Sequence, residues 1–111
     1  MAYAFAMPIR PGKTDAARRF IQEVLGPRKR EWDDLQRRQG VTRESYYLQA
    51  SPAGDLLLVT GEGSFTPVRH FLDVAGNPFD RWFTEQVQDI SGINVQELGD
   101  ELPEQLGEWR P

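Results

Sequence analysis

The chain predicts an α+β fold in the order β-α-β-β-α-β. Strand-like runs with alternating or continuous apolar character flank two regions of helical 3.6-residue periodicity. The pentapeptide Ser51-Pro52-Ala53-Gly54-Asp55 is strong turn chemistry between the two middle strands. The strand after it, Leu56-Leu57-Leu58-Val59-Thr60, is apolar on both faces, and one layer of helices covers only one of them.

The first strand comes from Tyr3, Phe5, Met7 and Ile9 alternating with Ala2, Ala4 and Ala6, which gives one large-residue face and one small-residue face. Pro11-Gly12 ends it. Thr14 is the expected N-cap of a helix, with Asp15 favoured in the first turn by the helix dipole and Ala17, Phe20, Ile21 and Val24 on one face. Pro27 lacks the N–H a helix interior uses, so Gly26-Pro27 predicts a kink or restart in a long, bent helix. The pattern resumes through Arg28, Trp32 and Leu35 to a C-cap at Gly40.

Thr42 to Gln49 reads as the second strand and Leu56 to Thr60 as its central partner. Thr66-Pro67 predicts a short helix with Val68, Phe71, Leu72 and Ala75 inward. Asn77-Pro78 predicts the next, in which Asp80 completes a capping-box variant and Phe79, Trp82, Phe83, Gln86, Val87 and Ile90 form the inward stripe. Ile93 to Leu98 is the expected final strand. The domain spans residues 1–98, and 99–111 is a polar tail in which Leu102, Leu106 and Trp109 give it something to bury, on its own subunit or a partner. Two crossovers around a central hairpin make the ferredoxin-like split β-α-β motif. Either Leu57 and Val59 or Leu56 and Leu58 then face water, a patch that a two-fold sheet-to-sheet homodimer removes.

Size and charge narrow the function classes. With 111 residues the chain holds one core. Absence of cysteine excludes disulfides, thiolate zinc sites and a Cys nucleophile. The net charge of −4 argues against nucleic acid. Basic residues do gather in the first half, but Asp15, Glu23, Glu31, Asp33 and Asp34 are interspersed among them, as on a solvated helix. The N-terminus lacks a basic n-region and no apolar run is long enough to span a membrane, so no membrane partner and a cytoplasmic location are expected.

Three segments carry a resemblance: Leu25-Gly26-Pro27-Arg28-Lys29-Arg30, Val41-Thr42-Arg43-Glu44-Ser45-Tyr46-Tyr47-Leu48-Gln49 and Asn77-Pro78-Phe79-Asp80-Arg81-Trp82-Phe83. On these the chain resembles the dimeric α+β barrel superfamily, which includes antibiotic-biosynthesis monooxygenases, EthD-like proteins and stress-responsive Dabb proteins. More narrowly, it is similar to a family of short, uncharacterised bacterial proteins within that superfamily. The resemblance implies a homodimer with a cavity in each subunit between the sheet and the helical segments. It carries over no reaction, because such folds host many chemistries.

Residues that could carry chemistry are few. His70 is the only histidine; no zinc ligand set accompanies it, haem ligation by His70 alone is possible in principle, and no metal site is expected. It sits beside the Val68, Phe71, Leu72 stripe, which favours the surface; turned inward, it is the natural general base. Gly61-Glu62-Gly63-Ser64-Phe65 is neither a nucleophile elbow nor a dinucleotide fingerprint. Arg28 reads first as an ion-pair partner of Glu31 or Glu44 and second as a bidentate clamp for a ligand carboxylate. Arg43, Ser45, Tyr47 and Gln49 share one face of the second strand, as a pocket wall or a wet edge. Trp32 and Trp82 read as core ahead of ligand platform.

The leading expectation is a homodimer binding a mostly apolar small molecule or a carboxylate, without a cofactor. Trp32, Phe79, Trp82 and Phe83 are the expected apolar walls, and Arg28, Arg43 and Tyr47 the polar end. The alternatives are a cofactor-independent monooxygenase or isomerase with Tyr47 and His70 handling protons, and a non-catalytic structural or regulatory dimer whose tail docks on a partner.

Overall fold

The computed structural model describes all 111 residues, Met1–Pro111. The fold is α+β: a three-stranded antiparallel sheet and three helices in the order β1 (Ala2–Pro8), α1 (Thr14–Leu25), α2 (Lys29–Gln39), β2 (Val41–Gln49), β3 (Leu56–Gly63), α3 (Pro78–Ser91). The strands lie β1-β3-β2, so the doubly apolar β3 is central as its composition requires. No helix is long and apolar enough to cross a membrane.

The expected fourth strand does not form. Val95–Glu97 is a 3-10 turn in which the Asn94 side chain accepts the Gln96 N–H at 3.0 Å and Val95 is buried. Asn94 offers the backbone a local turn that competes with strand pairing. β1 therefore keeps a free edge, and the full β-α-β-β-α-β order is not present.

Other departures have equally local causes. Residues 26–28 separate α1 and α2 fully, so the single bent helix is two. Thr14 is the first helical residue rather than the cap, because its Oγ1 donates to Asp55 Oδ2 at 2.6 Å. The helix after Thr66-Pro67 shrinks to the 3-10 turn Val68–His70; Phe71 and Leu72 still pack against the core, but Ala75 is exposed. At the start of α3, Asn77 Oδ1 accepts from the N–H groups of Phe79 at 3.0 Å and Asp80 at 3.2 Å, as expected of a cap. Asp80 does not return the favour; its carboxylate goes to Arg38 and to the Asp73 N–H.

Sheet register decides which residues meet the helices. Tyr3, Gly61 and Glu44 form one row across the strands, Phe5, Val59 and Tyr46 the next, and Met7, Leu57 and Leu48 the third. Tyr3, Val59 and Leu57 are buried with Phe20, Val24, Trp32, Leu35, Phe79, Phe83 and Ile90, so this is the covered face. Ala4, Ala6, Leu56, Leu58, Arg43, Ser45, Tyr47 and Gln49 fall on the opposite, open face.

Candidate functional site

Neither the cleft between α2 and β2 nor the depression beside Arg30 is lined by more than one of the expected apolar walls. Phe20, Trp32, Phe79, Trp82 and Phe83 pack on one another with ring centroids 5.5–6.4 Å apart, filling the layer between sheet and helices. Of the expected polar residues only Arg28 reaches them. Arg43 and Tyr47 lie on the open sheet face, with Tyr47 55% exposed. Arg43 pairs there with Glu62 at 3.3 Å.

Arg28 is held at the surface end of the aromatic cluster. Its guanidinium lies 4.1 Å from the Trp82 ring centroid and pairs with Glu23 at 3.4 Å and Glu31 at 3.7 Å. Glu31 was one of the two partners its position suggests; Glu44 is engaged elsewhere. His70 is exposed, its Nε2 2.9 Å from Asp100, whose other oxygen takes Arg69 at 2.6 Å. The two basic residues pin the root of the tail, and the Arg69 hydrogen bond, then that of His70, hold the Asp100 carboxyl below its ordinary range. Neither His70 nor Tyr47 faces a closed cavity. No three His, Asp or Glu side chains converge at metal-ligand spacing.

What the fold does assemble is a polar cluster around Glu44, on the covered face of β2 next to α2. Tyr3 donates its hydroxyl to Glu44 Oε2. Tyr46 donates to Oε1 at 2.6 Å and Gln36 Nε2 donates to the same oxygen at 2.7 Å. The Tyr46 hydroxyl in turn accepts from Trp32 Nε1 at 3.1 Å and from Gln36 Nε2 at 3.2 Å. Glu44 is the acceptor in all three of its own hydrogen bonds.

Gly61 makes this geometry accessible. It separates Tyr3 from Glu44 in their cross-strand row, and a Cβ there would come within 2.6 Å of Tyr3 Cζ and 2.5 Å of the Arg43 carbonyl oxygen. Without a side chain at this position, the Tyr3 ring lies across β3 and reaches the far strand. Burial, reinforced by the hydrogen bond to and charge of Glu44, raises the Tyr3 pKa. Burial and the Glu44 charge likewise raise that of Tyr46, against the opposing donors Trp32 and Gln36. Both phenols are kept as proton-bearing donors.

The cluster borders a cleft of about 390 Å³ between α2 and the start of β2, within the size range of small-molecule sites. Leu25, Trp32 and Val41 give it an apolar side; the rest of its lining is polar, with Asp33, Arg37, Thr42 and Arg43 beside Gln36, Glu44 and Tyr46. Of the residues singled out from sequence, only Trp32 and Arg43 border it. A smaller depression of about 260 Å³ beside Arg30, Asp34, Arg38 and Phe79 is almost entirely lined by charged and polar groups.

Glu44, Gln36, Tyr46 and Tyr3 were not foreseen. The available signal was the pattern itself: Glu44 and Tyr46 share the strand face opposite Arg43 and Tyr47, and Tyr3 shares the large-residue face of β1. Which of the two β2 faces meets the helices depends on register. No protein-family model, curated protein or solved structure matches this chain.

Proposed function

We propose that the protein is a small-molecule-binding homodimer, with its ligand held in the α2–β2 cleft rather than between sheet and helices. The observation that carries the reading is the Glu44 cluster at the end of a part-apolar cleft. Three donors fix one carboxylate in place, and Trp32 both forms the wall and donates to Tyr46. An apolar side facing fixed hydrogen-bonding groups gives a small molecule both a contact surface and an orientation.

Homodimerisation is supported by the open sheet face. Ala4, Ala6, Leu56 and Leu58 form its apolar centre, with Tyr47 beside them and Arg43, Glu62 and Gln49 around it. A polar rim about an apolar centre suits an isologous contact.

Native mass spectrometry of freshly purified protein, followed by organic extraction, tests the ligand reading. We expect a dimer mass carrying a small-molecule adduct. Leu25 is 51% exposed at the cleft wall, so Leu25→Trp narrows the cleft with little disturbance of the core. It should remove the adduct and leave the dimer. An adduct retained in full by that variant would refute the location.

A further inference from the structure

Taking the α2–β2 cleft as the ligand site, we infer that it selects an organic cation, a primary ammonium attached to an apolar body, with Glu44 as its counter-ion. Glu44 is half-buried, yet all its hydrogen-bond partners are neutral: two phenols and an amide. No Lys, Arg or His forms an ion pair with it; Arg43, its neighbour in sequence, projects to the other sheet face and pairs with Glu62. A part-buried acidic side chain whose partners are all neutral has no counter-charge, and a ligand cation is the group that supplies one.

The unmet hydrogen-bonding capacity around Glu44 has the same sign. Oε1 of Glu44 accepts twice and Oε2 once, so Oε2 keeps a free acceptor position. Gln36 must turn its Nε2 toward the carboxylate, and its Oε1 is left buried without a donor. Among the cluster's side chains the unmet atoms are therefore acceptors. An ammonium brings three N–H donors. The cleft's two arginines engage other acids at the surface, Arg37 with Asp34 at 3.5 Å and Arg43 with Glu62 at 3.3 Å, and neither pairs with Glu44. Leu25, Trp32 and Val41 then take the apolar body.

The test uses three probes of one shape and different charge, benzylamine, benzyl alcohol and benzoate, titrated into the full-length protein at neutral pH. The Trp32 indole N–H and the Gln36 side-chain amide are followed by ¹H–¹⁵N correlation spectra. Benzylamine, protonated at that pH, should shift both resonances at concentrations about tenfold below those benzyl alcohol requires, the scale of one charge-assisted hydrogen bond. Benzoate should not shift them. Glu44→Gln should remove the preference for the amine while leaving the response to benzyl alcohol. If that variant does not fold, the charge series on the unmodified protein decides alone. Equal or tighter binding of benzoate, or an amine preference that survives Glu44→Gln, would overturn the cation assignment and leave the cleft as a ligand site. Silence of both resonances toward all three probes would also overturn it; an adduct-free native mass spectrum would then remove the cleft reading as well.

Discussion

Asp80 shows how one residue type serves two roles according to its neighbours. Its side chain is fully buried, and Arg38 meets both carboxylate oxygens at 2.7 Å while the Asp73 N–H adds a third contact. Burial pushes its pKa up, but the Arg38 hydrogen bonds, the Asp73 N–H and the Arg38 charge outweigh it, so the net shift is downward. A depressed folded-state pKa means stability that is present above the unfolded value, about 3.9, and lost as pH falls through the folded one. Arg38→Met leaves this carboxylate buried and unpaired and should cost about 3–5 kcal/mol at neutral pH in urea denaturation. In that variant burial becomes dominant, so acidification from pH 7 should first raise stability, where the parent protein gains nothing. The same pH dependence in both proteins would contradict the assignment.

Glu44 is the second case. In the sequence it stands out only as a partner for Arg28; register places it beneath α2 and makes it the centre of the candidate site. A strand's alternation tells which residues share a face but not which face is covered. The pairing of Leu57 with Leu48 and Met7, and the burial of Leu57 and Val59, choose for the whole sheet.

At the level of elements, α3 forms as its sequence predicts and the expected fourth strand does not. Asn77-Pro78 followed by a 3.6-residue stripe predicted α3, and the cap is present with both hydrogen bonds. Asn77→Ala should lower stability by about 1 kcal/mol, measured as a fall in the thermal midpoint with the fold retained in far-UV circular dichroism. Ile93 to Leu98 failed as a strand because Asn94 caps a 3-10 turn instead. The glycines of β3 carried more meaning than a motif search reveals. Gly61→Ala puts a Cβ against Tyr3 and the Arg43 carbonyl, so it should displace Tyr3 from Glu44 and cost about 1–3 kcal/mol. A tyrosine absorbance titration checks this: Tyr3 should ionise at lower pH in the variant, since it would lose both burial and the neighbouring carboxylate.

For the molecule as a whole, two surfaces remain without an intramolecular partner. One is the open sheet face around Leu58; the other is the tail, where Leu106 is 91% and Trp109 82% exposed. The tail is tethered at Asp100 by Arg69 and His70, and Leu102 reaches the core, but beyond it the chain is exposed, and the molecule measures 48 × 33 × 27 Å. If the sheet face alone holds the proposed homodimer, Leu58→Glu should yield a monomer in sedimentation velocity. Under the same proposal, deletion of residues 103–111 should leave the dimer mass unchanged. A monomer from the deletion and a dimer from Leu58→Glu would assign assembly to the tail.

The sequence by itself determined the α+β class, the hairpin at 51–55, the central place of β3 and the cap and inward stripe of α3. Each depends on interactions within a few residues, where periodicity and turn chemistry act directly. Only the tertiary structure decided that the sheet stops at three strands, that the aromatic stripes close on one another, and that Tyr3, Gln36 and Tyr46 meet at Glu44. Those outcomes depend on cross-strand register and on competition between distant partners. Neither is a property of any single stretch of chain.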